Sequence, residues 1–239
     1  MMSTIQYLTR IRLRRDAPAS ALRAMFIPPD VSARTLATHR LVWTLFADAP
    51  DRERDFLWRE ADTGVFYLLS RRRPEDRHGL FDVDQSKVFS PRLGVGDRLT
   101  FMLRANATVS RQDRTKRRGV RCDVVMDAIY QTHGPERALA RRSAIESAGI
   151  AWLAAQGAKA GFVLPDVGTG GAGASGTAVS VTTYRTLAIE RPGAPARLGV
   201  LDFEGVLEVR DPALLIETIG TGFGRAKAFG CGLMLIRRV

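Results

Sequence analysis

The sequence predicts an α+β protein built from two ferredoxin-like (RRM-like) domains with antiparallel sheets. Residues 5–14 and 98–105 alternate between apolar and polar side chains, which is the pattern of half-buried strands. Residues 35–46 instead repeat apolar side chains at helical spacing. The second half has the order strand, helix, strand, strand, helix, strand of a ferredoxin-like unit, and we expect the first half to hold its twin.

In the first half, the predicted strand over 5–14 is followed by a helix over 35–46. The apolar stripe of that helix consists of Leu41, Val42, Leu45 and Phe46. Two further strands, over 55–60 and 64–70, are joined by a hairpin-type turn. These elements predict an N-terminal ferredoxin-like domain over residues 1–96.

The second half predicts a C-terminal ferredoxin-like domain over residues 97–239. Its predicted elements are a strand over 98–105, a helix over 135–155, strands over 177–190 and 198–209, a helix over 212–219 and a strand over 233–238. Asp211 is the predicted N-cap of the last helix, with Pro212 at its first position. Residues 168–176 are nearly all Gly, Ala, Ser and Thr, which predicts a flexible loop.

The composition favours a polyanionic partner. The 239 residues include 36 Lys+Arg and 25 Asp+Glu, a net charge of +11, and Arg outnumbers Lys. The guanidinium group is a planar fork of donors that grips phosphates and stacks on bases. Nucleic acid is therefore the expected partner. The plain alternative is a basic protein from an Arg-rich genome.

Several other classes of protein do not fit the sequence. No apolar run reaches the roughly 18 residues of a membrane-spanning helix, and we expect no secretion signal. Cys122 and Cys231 lie far apart, so we expect free thiols in a reducing cytoplasm. The two cysteines and three histidines have no zinc-site spacing. We therefore expect a cytoplasmic protein with no metal and no small-molecule cofactor.

His39 is the leading candidate for proton transfer. It lies at the edge of the apolar stripe of the predicted helix, one turn before Trp43 and beside Arg40. An imidazole there can give or take a proton near neutral pH. A boundary histidine with no chemical role is the common alternative. His78 in a charged loop and His133 before a helix are weaker candidates.

A basic segment over 111–121 follows a predicted strand and carries six cations and one acidic residue. Its cations are Arg111, Arg114, Lys116, Arg117, Arg118 and Arg121. Such a cluster neutralises phosphates and releases counterions, so we favour a nucleic-acid contact over a merely solvated loop.

The glycine-rich segment over 220–235 is the most informative motif. A dinucleotide fingerprint fails because Lys227 stands at the third glycine position, and no Gly-Lys-Ser/Thr makes it a P-loop. The loop has glycines at Gly222 and Gly224 and cations at Arg225 and Lys227, which can approach a backbone phosphate closely. The glycines also permit a tight turn into the last strand, and both interpretations can hold.

Taken together, these segments resemble the CasE (Cse3) family of CRISPR RNA-processing endoribonucleases in the type I-E Cascade complex. The resemblance rests on segments in family order over both halves: Leu36–Phe46 with Arg54–Trp58, Phe101–Asn106, Asp202–Leu207 and Gly222–Leu235. It implies cleavage of the CRISPR repeat at the base of its hairpin by the RNA's own 2′-hydroxyl, without a metal. The product would carry a 2′,3′-cyclic phosphate or 3′-phosphate and stay bound as the guide RNA of Cascade.

The resemblance also implies roles for particular residues. His39 would be general base toward the 2′-hydroxyl or general acid toward the leaving 5′-oxygen, and Arg40 would stabilise the scissile phosphate. Where family members carry a tyrosine one turn before the histidine, this sequence has Leu36, and Tyr7 on the neighbouring strand could substitute.

Other residues are expected to hold the RNA. The expected RNA-binding set is Arg104, Arg111, Arg114, Lys116, Arg117, Arg118, Arg121, Gly222, Gly224, Arg225 and Lys227, with Arg185, Arg191 and Arg197 as candidates for a hairpin in the RNA groove. The alternative function is a non-catalytic RNA-binding or scaffold subunit of the same fold. A small-molecule enzyme has little support, because the sequence has no cofactor motif and no paired carboxylates.

Overall fold

The fold is described from a computed structural model. The structure describes residues 5–14, 31–46, 53–112, 119–130, 132–134, 136–167, 176–189 and 196–239. Residues 168–175 of the predicted flexible loop, the cations between 113 and 118, and Arg191 lie outside the described residues.

Seven strands lie between the first helix and the second, and the second and third helices are consecutive. The strands are β1 Tyr7–Leu13, β2 Phe56–Asp62, β3 Val65–Ser70, β4 Phe81–Val83, β5 Lys87–Val88, β6 Arg98–Ala105, β7 Thr108–Arg111, β8 Val120–Asp123, β9 Phe162–Val163, β10 Asp166–Val167, β11 Gly176–Thr177, β12 Val179–Ile189, β13 Ala196–Val209 and β14 Met234–Arg238. The helices are α1 Val31–Trp43, α2 Val124–Ala128, α3 Glu136–Ala160 and α4 Pro212–Thr221, with 3-10 turns at Thr44–Phe46 and Lys227–Phe229.

The first half forms an antiparallel sheet with strand order β2-β3-β1-β4, and β5 also pairs with β1. The apolar stripe of α1 and its 3-10 turn is buried, as predicted, in a cluster with side chains of β1 to β4. That cluster includes Leu41, Val42, Leu45, Phe46, Ile11, Phe56, Trp58, Phe66, Leu68 and Phe81. Burial of this stripe fixes which side of α1 reaches solvent, and therefore where His39 lies.

The second half repeats the plan with strand order β12-β13-β6-β14. Both sheets thus place the third strand of the unit beside the first, which is the ferredoxin-like arrangement, and the tandem ferredoxin-like prediction is confirmed. Helices α3 and α4 cover the second sheet through buried Trp152, Leu153, Leu215 and Ile219. Asp211 caps α4 as predicted, accepting a hydrogen bond from the amide of Leu214 at 3.0 Å.

The first half is not a full twin of the second. Residues 71–80 join β3 to β4 as a loop, where a complete ferredoxin-like unit has its second helix. The physical reason is their composition, because Arg71 to Arg77 is a charged run broken by Pro74, with no apolar stripe to bury. None of the helices in the described ranges is both long and apolar enough to span a bilayer.

The two halves share one core. Leu57 of β2 and Leu69 of β3 belong to the same buried cluster as Phe101, Phe223 and Leu233 of the second half. The side-chain amide of Gln6 also donates to the carbonyl of Gly220 at 3.0 Å. The seam between the halves is therefore a fixed surface on which side chains from both can act together.

Candidate active site and nucleic-acid interface

His39 lies half-buried near the C-terminal end of α1. Trp43, one turn later, donates its indole Nε1–H to His39 Nε2 at 3.0 Å. The Trp43 ring in turn packs edge-on against Phe56 of β2, with centroids 5.2 Å apart. The sheet therefore orients Trp43, and Trp43 orients the imidazole.

This hydrogen bond defines one form of the histidine. An imidazole nitrogen that accepts an N–H carries no proton of its own, so the neutral ring bears its proton on Nδ1. The pKa of His39 is lowered, first because burial disfavours the charged ring and then because Arg54 and Arg40 are positive. His39 is consequently a neutral base at pH 7.

Arg54, just before β2, links His39 to the second half. Its positive charge lowers the pKa of both His39 and Lys227, so it acts on helix α1 and on the glycine-rich segment. Burial lowers the pKa of Arg54 itself, and its Nη1 is buried without a hydrogen-bond partner. This cation is poised to take an acceptor from outside the protein.

The glycine-rich segment packs directly on β2 of the first half. A Cβ on Gly222 would lie 2.8 Å from Leu57 Cδ1, and one on Gly230 would lie 3.0 Å from the ring of Trp58. Both glycines have positive φ, 82° and 73°, which disfavours any other residue. The glycines are therefore needed to close the seam, which accounts for the tight-turn interpretation of this motif.

Lys227 begins the 3-10 turn in the same segment. Its ammonium donates to the carbonyl of Thr221 at 2.6 Å, and its pKa is lowered by burial and by Arg54. Arg225 is exposed, and its backbone forms an isolated bridge with Asn106. The seam thus brings a neutral histidine together with cations from both halves.

The other two expected catalytic residues differ in their position relative to His39. Arg40 is exposed on α1 beside His39. Tyr7 pairs with Ser70, which pairs with Phe56, so at about 4.8 Å per strand its backbone lies about 10 Å from that of Phe56. The Tyr7 ring lies under the guanidinium group of Arg73 at 5.1 Å. No hydrogen bond joins Tyr7 to His39, both of which the structure describes, so the role of Tyr7 stays a prediction.

The expected RNA-binding residues fall into two groups. Arg111 and Arg121 lie exposed on the β7–β8 hairpin, whose tip carries the basic segment, and Asp127 holds Arg111 through a bidentate pair. Arg104 instead lies inside the seam, paired with Asp202 of the adjacent strand at 2.8 Å. Those outside the described residues are Arg114, Lys116, Arg117 and Arg118.

The remaining candidate site residues differ in how far they are exposed to solvent. His78 and His133 are exposed, as is Arg197, whereas Arg185 is half-buried beside Asp202. Gly224 has a φ of 66° and packs near Trp152. Within the described part of the chain, no three His, Cys, Asp or Glu side chains lie close enough to hold a metal ion.

Sequence reasoning missed Trp43 and Arg54 as site residues. Trp43 follows His39 by four residues on a helix, and that spacing places two side chains in contact. Arg54 carried no comparable signal, because its approach to His39 depends on how β2 enters the sheet.

The matched family covers nearly the whole chain. The model of a family described as CRISPR associated protein matches residues 6–238. The chain therefore belongs to this family of CRISPR-associated proteins.

Individual relatives refine this assignment. The Cascade subunit CasE of Escherichia coli K12 is 28% identical over 206 residues, which cover 82% of this chain and 88% of the relative. A structure of CRISPR endoribonuclease Cse3 bound to a 19-nucleotide RNA is 26% identical, with a TM-score of 0.67, over 97% of this chain and 99% of that one. Thermus thermophilus Cse3, bound to an RNA that represents a pre-cleavage complex, is 25% identical, with a TM-score of 0.66, over 97% and 98% of the two chains. The resemblance to the CasE family is confirmed.

Proposed function

We propose that this protein is an endoribonuclease that binds the hairpin of a CRISPR repeat RNA, cuts at its base and keeps the product as a Cascade subunit. The observation that carries the proposal is the seam itself, where half-buried, neutral His39 lies with Arg54 and Lys227. The relatives described above as an endoribonuclease and a Cascade subunit support it.

The reaction we propose begins with the 2′-hydroxyl of the nucleotide on the 5′ side of the cut. His39 Nε2 is the nitrogen without a proton, so it is the one that can accept the hydroxyl proton, with the hydroxyl replacing the indole of Trp43 as its partner. The 2′-oxygen then attacks the adjacent phosphorus, the bond to the 5′-oxygen breaks and a solvent water protonates that oxygen, while His39 returns its proton to solvent. The products are a 2′,3′-cyclic phosphate and a 5′-hydroxyl.

Negative charge that develops on the phosphate needs stabilisation by cations already in place. We assign this role to Arg54, because its Nη1 is buried and unpartnered while its charge reaches both His39 and Lys227. Arg40 is exposed, so its side chain is held less firmly and is less suited to stabilise charge on the phosphate. Both partners of the reaction, base and cations, are supplied by side chains, so we propose that no metal takes part.

The test is single-turnover cleavage of the host's own repeat hairpin by His39→Ala, with binding measured on the same RNA. We expect cleavage to be lost while affinity changes less than about threefold, since removal of a general base typically costs 10²–10⁴ in rate. His78→Ala is the matched control, because His78 is exposed outside the seam, and it should cut normally. Full cutting by the His39 variant would remove His39 from the mechanism.

A chelator arm tests the metal-independent chemistry, and cleavage should persist in EDTA. The alternative, a non-catalytic RNA-binding subunit, remains because Leu36 stands where the family carries a tyrosine and cannot donate a hydrogen bond. It predicts tight, salt-sensitive hairpin binding with no strand scission by the wild-type protein.

A further inference from the structure

Three arginines, Arg59, Arg104 and Arg185, surround the single carboxylate of Asp202, with side chains that are 6%, 16% and 32% exposed. Arg104 donates to Asp202 through Nε at 2.8 Å and Nη2 at 3.2 Å. Arg59 Nη2 and Arg185 Nη2 approach the same carboxylate at 3.7 and 3.9 Å. The side chains of Arg59 and Asp202 are only 6% and 10% exposed, so little solvent screens them.

The cluster has more charge and more donors than its one carboxylate can satisfy. Nε and Nη1 of Arg59 and Nε of Arg185 are buried without a hydrogen-bond partner. Burial lowers the pKa of Arg59 to about 10 and also lowers that of Arg185. Cys231 offers no compensating charge, since its buried thiol has a pKa raised to about 12 and stays neutral.

A cavity of about 240 Å³ opens onto this cluster. Arg104 and Arg185 line it, together with Trp58, Phe229 and Thr38 of α1. The indole Nε1–H of Trp58 is also buried without a partner. Two of the unpartnered N–H groups, Nε of Arg185 and Nε1 of Trp58, thus belong to residues that line the cavity, and buried donors of this kind require an acceptor.

Two carboxylates also line the cavity. Glu60 and Asp62 belong to the β2–β3 hairpin and accept hydrogen bonds from the amides of Gly64 and Thr63, at 3.4 and 2.6 Å. Asp62 is exposed. Two cations and two carboxylates therefore line the cavity, and the excess of positive charge lies where the three arginines surround Asp202.

We propose that this cavity binds a phosphate group of the RNA backbone, at a linkage other than the one that is cut. The inference rests on the proposed function for the identity of the ligand. Thr38, in the wall of the cavity, immediately precedes His39 on α1, and on this ground we place the cavity beside the RNA that reaches His39. Guanidinium groups grip phosphate oxygens bidentately, and Arg185, which lines the cavity, has an unused Nε–H. Held there, the strand cannot slide past His39.

The experiment replaces each phosphate of the hairpin strand, one at a time, with an uncharged methylphosphonate. The RNA carries a 2′-deoxy nucleotide at the cut, so that affinity is measured without cleavage. We expect a methylphosphonate at one linkage beside the cut to reduce the affinity of the wild-type protein for the RNA about tenfold. The same substitution should reduce the affinity of Arg185→Gln less than twofold. Arg210→Gln is the control, because Arg210 is exposed, paired with Glu208 and outside the cavity lining; it should behave as wild type.

An equal effect of every linkage on wild type and Arg185→Gln would overturn the proposal. A second result would also overturn it. If inorganic phosphate raised the thermal stability of the wild-type protein but not of Arg185→Gln, and no methylphosphonate changed RNA affinity, the cavity would be a site for free phosphate. Cleavage of unmodified RNA by the wild-type protein is scored separately. If the wild-type protein does not cleave, the proposed nuclease function is refuted, and the affinities for the methylphosphonate RNAs still test the phosphate site in the cavity. If it cleaves normally and no methylphosphonate lowers affinity, only the phosphate site is refuted.

Discussion

Replacing Trp43 with phenylalanine tests how the site holds His39. The substitution keeps an aromatic ring against Phe56 but removes the indole N–H that donates to His39 Nε2 at 3.0 Å. That hydrogen bond can form only with the neutral imidazole, so its loss favours the protonated ring and raises the pKa of His39.

The size of the effect follows from the value of one hydrogen bond. A net contribution of about 1 kcal/mol corresponds to about a fivefold increase in the ratio of protonated to neutral His39 at a fixed pH. The acid limb of the pH profile of kcat/KM reports the pKa of His39 in the free enzyme. This limb should move to higher pH by the pKa shift that corresponds to the fivefold change.

Histidine Cε1–H signals followed by NMR across a pH titration measure the ratio directly. Only three histidines are present, and His39→Ala assigns the signal of interest. Exposed His78 and His133 serve as internal controls. A His39 titration that is unchanged in Trp43→Phe, or that moves to lower pH, would refute the reasoning that Trp43 stabilises the neutral ring.

Three further predictions concern charge, pH and the seam. Arg54→Gln should lower the cleavage rate at saturating protein by at least tenfold and also raise the pKa of His39, since a nearby positive charge is removed; a pH–rate profile checks both. Because the folded-state pKa of His39 is lowered, the unfolded chain binds the proton first, so stability should fall as pH drops below about 6.5. His39→Gln should flatten that loss in denaturant titrations. Gly230→Ala should reduce the free energy of unfolding by about 1–2 kcal/mol, because its φ is positive and its Cβ would press on Trp58; an unchanged urea midpoint would contradict this.

Regular elements with strong periodicity were predictable from the sequence. The strand over 98–105 matches β6 at both ends, and the apolar stripe of α1 is buried as its spacing predicts. Helix α3 runs to Ala160, five residues past its predicted end, and Gly157 lies within it. A Cβ there would lie 2.7 Å from the carbonyl oxygen of Phe162, so this glycine permits close packing, and Gly161, with a φ of 76°, is where the helix stops.

Short elements and contacts across the seam were not predictable in the same way. Helix α2 has only five residues, too few for an apolar period, although its N-cap Asp123 is the type of residue that begins a helix. The pairing of Arg104 with Asp202 depends on the register of β6 against β13, which no local pattern specifies. Electrostatic coupling of Arg54 to Lys227 needs the seam to be closed, and its closure depends on glycines far along the chain.

Cleavage of a repeat hairpin with a single 2′-deoxy nucleotide on the 5′ side of the cut tests the central claim most directly. We predict that the wild-type protein binds this RNA as tightly as the unmodified hairpin and leaves it intact, because His39 then has no hydroxyl from which to take a proton. Cutting at the same position and rate would contradict the account, since the nucleophile would have to come from elsewhere.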